Sequence, residues 1–224
     1  MDRNKYTAEV LDKLAEKLYT AVICDILDDL GYRNQAMDDV IAPLCDEDKL
    51  IGFAKTMLFY DVYEQPEKPY ATELAAVDRM IQGDIAVICG NGSKSNGFWG
   101  ELMATASIVR GVRGVVLDGA VRDIKKLRML SNEFKVFATG RSPLDSKGRC
   151  IVAATDCHIV CRGVAVNNDD LIFGDIDGVV VVPSAIAEKV IDLALIKISK
   201  ENKVRDALLE GLSLTEAFEK YGVL

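Results

Sequence analysis

The chain has 224 residues, of which 50% are hydrophobic, and its formal net charge is −8 at pH 7. This is the length of one well-packed domain, and no proline-rich or Ser/Gly-rich linker interrupts it, so we expect a single domain over residues 1–224. The acidic balance disfavours nucleic acid and anionic membrane surfaces as partners. Because no apolar stretch approaches the ~20 residues needed to span a bilayer, and the N-terminus lacks a signal-peptide core, we expect a cytoplasmic protein.

The first half of the chain predicts helices and strands in alternation. Apolar residues at helical spacing predict two amphipathic helices, followed in chain order by a strand, a helix and a buried strand: 7–17, 20–30, 52–62, 71–81 and 84–90. A polar loop with four glycines, 90–100, then leads to a helix that begins at Glu101.

The second half is richer in short strands. GVVLDG (114–119) predicts a buried strand, DGAV (118–121) a tight turn, and Arg122 and Asp123 open another helix. Further strands are predicted in KVFA, CIVAAT, CHIVCRGVAV, DLIFG and DGVVVVP. Pro183 precedes a long helix to about residue 210, and a last helix follows Ser213. The pattern predicts an α/β layered domain with a mixed central sheet and flanking N- and C-terminal helices, rather than a regular βαβ repeat.

Three charged side chains are expected to meet at one edge of this fold. A helix of roughly ten residues that begins at Glu101 is about 15 Å long. A strand of about five residues then runs about 16 Å in the opposite direction and ends at Arg122 and Asp123. Each of the three residues, taken alone, also has a purely structural explanation, since an acid at a helix start, for example, complements the helix dipole. Their predicted convergence beside a helix N-terminus indicates a site.

The residue types at this edge suit the binding of a 2-oxo acid. Arginine holds planar carboxylates or an enolate oxygen through fixed donors, which fits Arg122. The carboxylates of Glu101 and Asp123 are hard oxygen ligands of the kind that Mg²⁺ or Mn²⁺ takes. Free amides near Leu102 and Met103, made accessible by Gly100, would hold a substrate carboxylate.

The chain resembles the RraA-like proteins, a family that includes the class II 4-hydroxy-4-methyl-2-oxoglutarate (4-carboxy-4-hydroxy-2-oxoadipate) aldolases. The resemblance runs through nearly the whole chain. It rests on TAVICDILDDLG, GELMATASIVRGVRGVVLDGAVRD, KVFATGRSP, GDIDGVVVVP and the closing GLSLTEAFEKYGVL. The acid followed after twenty residues by Arg-Asp is the aldolase hallmark, although Glu101 stands where many such aldolases have aspartate.

The resemblance implies a swivelling β/β/α-type fold, assembled as a homotrimer or hexamer with active sites between subunits. It implies a divalent metal, Mg²⁺ or Mn²⁺, bound directly by Asp123, and an acid from a neighbouring subunit, for which Glu201 is the best match. Arg122 would contact the pyruvyl carbonyl, and the turn Gly100–Met103 would bind the substrate through its amides.

The sequence therefore predicts a metal-assisted retro-aldol cleavage of a 4-hydroxy-2-oxo diacid that releases pyruvate, together with oxaloacetate decarboxylation. Glu101, Arg122 and Asp123 are the predicted catalytic residues. Two alternatives come with the family: a non-catalytic regulator that binds a ribonuclease or another protein, and a methyltransferase. The absence of a glycine-rich dinucleotide-type motif after the first strand disfavours the methyltransferase.

Overall fold

The structure, a computed structural model, describes residues 2–223. A 3₁₀ helix at Arg3–Lys5 precedes the α-helices, which are α1 (Ala8–Lys17), α2 (Thr20–Asp29), α3 (Ala71–Asp78), α4 (Glu101–Val109), α5 (Ile124–Met129), α6 (Ala187–Leu209) and α7 (Leu214–Tyr221). The strands are β1 (Ala42–Pro43), β2 (Leu50–Asp61), β3 (Asp84–Cys89), β4 (Gly97–Trp99), β5 (Gly114–Val121), β6 (Lys135–Arg141), β7 (Cys150–Thr155), β8 (Ile159–Cys161), β9 (Val164–Val166), β10 (Leu171–Asp175) and β11 (Gly178–Val182). No helix among these residues combines the length and apolarity that a membrane crossing requires.

Most strands form one mixed sheet in the order β1-β6-β5-β3-β2-β10-β11, with β4 beside β5 and β7 beside β2. Its centre is parallel, because β2, β3, β5 and β6 run in one direction and are joined through α3, α4 and α5. The outer strands β1, β7, β10 and β11 pair antiparallel. The prediction of an α/β fold with a mixed sheet and flanking terminal helices is confirmed.

The sheet nearly closes on itself. Met37 donates to the carbonyl of Val179, and Val181 donates to the carbonyl of Gln35, so the segment before β1 adds to β11. Since β1 pairs with β6 at the other end of the strand order, this segment links the two ends of the sheet.

Helices cover the sheet on two sides. Side chains of α3, α4 and α5, such as Val77, Ala104 and Leu127, pack with Ile88 and Leu117 of the parallel strands. The terminal helices α1, α2 and α6 pack on Phe53 and Phe173 around a second cluster. Local sequence explains where two helices begin, since the Thr7 side chain caps α1 and Ser213 with Glu216 forms a capping box on α7.

Two predictions between residues 90 and 121 are wrong in detail. DGAV is the end of strand β5, because Ala120 and Val121 pair with β4 on one side and β6 on the other. The irregularity that Asp-Gly produces is a register shift between Leu117 and Ala120, not a turn. The loop 90–100 contains β4, whose three residues are too few to show a periodic pattern.

Candidate active site

The candidate site lies where the parallel strands end. The carboxyl ends of parallel strands share one edge of a sheet, which is where ligands bind in open α/β folds. The segments that follow β3, β5 and β6 therefore meet there, and so does the N-terminal end of α3, which follows β2.

The structure brings Glu101, Arg122 and Asp123 together at this edge. The backbone amide of Glu101 donates to Oδ2 of Asp123 at 3.2 Å, and Nε of Arg122 lies 3.9 Å from the same oxygen. About a third of the Arg122 side chain and 40% of that of Asp123 are exposed, so both reach solvent. Asp123 has a left-handed backbone (φ 58°), a conformation that aspartate tolerates better than most residues.

The first turn of α4 presents backbone donors to the same place. Gly100 is the extended N-cap and supplies no side-chain cap. Within residues 2–223, the amides of Leu102 and Met103 donate to no acceptor, as expected for the first turn of a helix. A Cβ on Gly100 would lie 2.8 Å from Oδ2 of Asp123 and 3.1 Å from Nε of Arg122, so this glycine creates the space between donors, acid and guanidinium.

The carboxylate of Glu101 points along α4. Lys126 lies 3.3 Å from its Oε2, and the hydroxyl of Thr105 donates to its Oε1 at 3.1 Å. The side chain is mostly covered, so these two partners hold the acid in one orientation at the rim of the site.

Asp145 is a member of this cluster that the sequence did not indicate. It lies in the loop after β6, where NH1 of Arg122 approaches its Oδ1 at 3.0 Å and the Tyr70 hydroxyl donates to its Oδ2 at 2.5 Å. Desolvation would raise the pKa of Asp145, but hydrogen bonds from Tyr70 and backbone amides and the charge of Arg122 outweigh it and lower that pKa. Burial and the hydrogen bond to Asp145 raise the pKa of Tyr70 to about 12, so Tyr70 stays a donor.

Glu73 is a second acid that the sequence did not indicate. It lies in the first turn of α3 and is only 6% exposed. Burial, and then the nearby charge of Asp145, raises the pKa of Glu73 to about 7, while a hydrogen bond with Ser146 and the charge of Arg122 oppose the rise. Glu73 therefore titrates much closer to neutral pH than an ordinary glutamate.

Except for Glu101, which is not among the lining residues, these groups line one cavity of about 280 Å³. At about 30 Å³ per water molecule, that is the volume of roughly nine waters, enough for a small oxo acid. Its polar wall is formed by Tyr70, Glu73, Arg122, Asp123, Asp145 and Ser146, and its apolar wall by Leu74, Phe98, Leu102 and Met103.

The two aromatic residues before Gly100 have different environments. Phe98 lines the cavity and stacks on Phe59 with ring centroids 4.4 Å apart. Trp99 is fully buried and stacks on Phe134 in the core. Of the two, only Phe98 can contact a ligand in the cavity.

Glu201, the predicted second metal residue, lies elsewhere in the protomer. It is in α6, accepts a short hydrogen bond from the Tyr19 hydroxyl, and lines a separate cleft of about 660 Å³ with Arg205. Its assignment as the acid supplied by a neighbouring subunit stays a prediction.

The donor set fits a divalent ion bound through one carboxylate. Asp123 offers a half-exposed carboxylate beside the space that a Gly100 side chain would fill. Among residues 2–223, no three Asp, Glu, His or Cys side chains form a metal-binding group. Mg²⁺ suits such a site because it keeps several waters and needs one or two protein carboxylates.

Replacing Glu73 with glutamine should make the pH dependence of stability shallower. The pKa of Glu73 is about 7 in the folded state, against an ordinary value of 4.5. Because the folded state binds this proton more tightly than the unfolded chain does, the proton adds to the free energy of unfolding, and its full contribution is present below about pH 4.5. That contribution is lost as pH rises to about 7, because the unfolded chain ionises first. Each pKa unit corresponds to about 1.4 kcal/mol, so wild type should lose roughly 3 kcal/mol over this interval.

Denaturant unfolding of wild type and E73Q at pH 4 and pH 8 measures this effect. The free energy of unfolding of E73Q, relative to that of wild type, should be higher at pH 8 than at pH 4 by roughly 3 kcal/mol. Glu67→Gln, at an exposed acid just before α3, is the control and should show no such difference. An equal difference in the free energy of unfolding at both pH values would contradict the buried-acid interpretation.

Comparison with known proteins identifies the family. Residues 20–181 match the family model described as "RraA-like: Aldolase/RraA". The chain is 29% identical over 202 residues to the protein named "Putative 4-hydroxy-4-methyl-2-oxoglutarate aldolase" of Halalkalibacterium halodurans, with 89% of each chain covered. It is also 29% identical over 223 residues, 97% of its length, to Protein DlpA of Legionella pneumophila, but spans only 35% of that protein.

A solved structure agrees with the sequence comparison. Streptomyces coelicolor RraAS2, described as an unusual member of the RNase ES inhibitor RraA protein family, superimposes with a TM-score of 0.77 at 27% identity. The match covers 89% of this chain and 98% of that one. The family model matches well over half of the chain, and the chain therefore belongs to the RraA-like Aldolase/RraA family.

Proposed function

We propose that this protein is a divalent-metal-dependent lyase that cleaves a 4-hydroxy-2-oxo diacid to release pyruvate and also decarboxylates oxaloacetate. The observation that carries the proposal is the convergence of Arg122, Asp123 and the first turn of α4 on one cavity. A relative whose name states a 4-hydroxy-4-methyl-2-oxoglutarate aldolase supports the lyase class.

The substrate's pyruvyl end fits the donors of the cavity. The free amides of Leu102 and Met103 bind its carboxylate, since a helix N-terminus favours an anion. Arg122 points its planar donors at the 2-oxo oxygen, where negative charge develops when the C–C bond breaks. The Tyr70–Asp145–Arg122 chain of contacts keeps the guanidinium in place.

We assign to Glu101 the removal of the 4-hydroxyl proton through a water molecule. Lys126 and Thr105 fix its carboxylate at the rim, so the acid orients a water rather than moving into the cavity. Loss of the 4-hydroxyl proton and cleavage between C3 and C4 leave the pyruvate enolate against Arg122. Loss of CO₂ from oxaloacetate produces the same enolate.

Mg²⁺ or Mn²⁺ would be held by Asp123 and by water. When bound, such an ion acts as a Lewis acid that polarises the 2-oxo group. The geometry that supports this assignment is the Asp123 carboxylate itself, which is 40% exposed and lines the cavity.

A pyruvate-release assay tests the function. Purified protein with Mg²⁺ should release pyruvate from 4-hydroxy-4-methyl-2-oxoglutarate or 4-carboxy-4-hydroxy-2-oxoadipate, and from oxaloacetate above the spontaneous rate. EDTA should abolish both activities, and added Mg²⁺ or Mn²⁺ should restore them. Absence of release from all three substrates would refute the proposal.

Gly100→Ala should lower turnover strongly without lowering stability. The added methyl would press on Asp123 and Arg122, while the extended backbone at Gly100 (φ −139°) accepts any residue. A misplacement of about 1 Å in a site can cost roughly 100-fold in rate. Gly140→Ala is the matched control, because its Cβ would meet only Ala120 at 3.8 Å. Equal kcat for G100A and wild type would contradict the assigned site.

Completion of the site by a second subunit is part of the proposal. Leu102 and Leu74 line the cavity, yet 76% and 55% of their surface is exposed in the protomer. A homotrimer or hexamer that covers them could also bring Glu201 of a neighbouring subunit to the metal waters. A mass measurement in solution that gives a monomer would exclude this assembly.

The alternative is a regulator that binds a ribonuclease or another protein without catalysis. The likeness to RraAS2 of the RNase ES inhibitor family favours it. The pyruvate-release assay separates the two functions, since a regulator needs neither a metal nor an oxo acid.

A further inference from the structure

The structure places a buried acid, Glu73, in the wall of the candidate cavity. Glu73 follows Tyr70 by three residues, so both side chains lie on one face of the start of α3. That face meets Asp145 and Ser146 of the loop after β6, and the charge of Arg122 acts on Glu73. Glu73 therefore belongs to the same cavity as the enolate-binding arginine, although no motif marks it.

We propose that Glu73 is the acid that delivers a proton to the methylene carbon of the pyruvate enolate, and the base that removes it when pyruvate enolises. This inference rests on the proposed function, because it needs an enolate in the cavity. The O–H bond of Glu73 breaks and a C3–H bond forms. The C2–C3 double bond becomes single as the C2 carbonyl re-forms, and the Glu73 carboxylate then takes a proton from solvent.

The surroundings of the three acids in the described cavity favour Glu73 for this role. Asp145 receives hydrogen bonds from Tyr70 and the charge of Arg122, and its lowered pKa keeps it ionised. Asp123 accepts the amide of Glu101 and is the proposed metal ligand. Glu73 is instead almost fully buried and donates or accepts only locally, at Ser146.

Groups from two other elements shift the pKa of Glu73. Asp145 from the loop after β6 raises its pKa and Arg122 from the end of β5 lowers it. Tyr70, on its own helix, and the buried thiol of Cys150 in β7 also lie close to it. The pKa of about 7 allows Glu73 to donate and to accept a proton at neutral pH, the condition under which general acid–base catalysis is most effective.

The other wall of the cavity is apolar. Leu74, Phe98 and Met103 line the cavity around the space that an enolate bound to Arg122 would occupy. Apolar side chains cannot give a proton to the carbon, so Glu73 is the donor that we assign in the wall of the cavity.

Proton exchange of the pyruvate methyl group isolates this step. Wild type with Mg²⁺ in D₂O should replace the methyl protons of pyruvate with deuterium, followed by ¹H NMR. E73Q should lower the exchange rate by roughly 100-fold, the lower end of the contribution of a general acid or base. CO₂ release from oxaloacetate should change much less, because that enolate forms before Glu73 acts and can leave the site and take its proton from water.

The pH profile adds a readout that a purely structural role would not move. The exchange rate of wild type should rise as pH passes through about 7, because the Glu73 carboxylate is the base in that direction. E73Q should lack this inflection. Glu67→Gln is the matched control and should keep the wild-type rate and profile. If E73Q fails to fold, Glu73→Asp, which withdraws the carboxyl by one methylene, should show the same selective loss of exchange.

The outcomes separate this inference from the proposed function. Wild type that releases CO₂ and exchanges protons, beside an E73Q variant that exchanges at the wild-type rate, overturns the role of Glu73 alone. Equal loss of CO₂ release and exchange in folded E73Q also overturns it, since it indicates a positioning role. Wild type with neither activity overturns the proposed function and this inference with it.

Discussion

Replacing Arg122 with alanine is expected to lower kcat for pyruvate release by roughly 100- to 1000-fold, the usual cost of removing one donor to a developing oxyanion. Arg122 is the cationic side chain that lines the described cavity, at the end of β5. Without it, the enolate loses its fixed donors, and Asp145 loses the charge that helps to keep it ionised. Steady-state kinetics with oxaloacetate and with a 4-hydroxy-2-oxo diacid measures the loss.

Two further variants make the Arg122 prediction specific. Arg122→Lys keeps the charge but not the planar pair of donors, so it should recover only part of the rate. Arg110→Ala is the control, because Arg110 lies at the opposite end of α4 and pairs with Asp78. Near-normal turnover in Arg122→Ala would exclude the enolate role.

Asp123→Asn is expected to remove the metal dependence together with the rate. Asparagine accepts the left-handed backbone of this position, so the fold should be kept. Neutralising the proposed direct ligand should weaken the apparent affinity for Mg²⁺ by at least about 100-fold, the upper end of the effect of residues that only support a metal ligand. Turnover measured against Mg²⁺ concentration gives this affinity.

The control for Asp123 is Asp39→Asn, at an exposed aspartate before β1. It should leave the Mg²⁺ dependence unchanged. An Asp123→Asn variant that reaches wild-type turnover at wild-type Mg²⁺ concentration would show that the ion, if required, binds elsewhere.

Much of the fold could be predicted from local patterns. The helices α1 and α2 have apolar residues at helical spacing and lie within a residue of their predicted starts. Strand β5 is buried at all eight positions, as expected for a central parallel strand, and its apolar run therefore predicted a buried strand. The sequence did not predict where β5 ends, because Asp-Gly resembles a turn until the strands on both sides of it are known.

The part of the site that the sequence determined is the pair of junctions at Gly100–Glu101 and Arg122–Asp123. Each joins a helix start to a strand end within a few residues, so its place at the sheet edge follows from the direction of the chain. Only the tertiary structure shows that the site also contains Tyr70, Glu73 and Asp145. They lie on segments after β2 and β6, and nothing in their local sequence distinguishes them from surface residues. The parallel order β6-β5-β3-β2 brings those segments to one edge, and this non-local pairing creates both the held guanidinium and the buried acid.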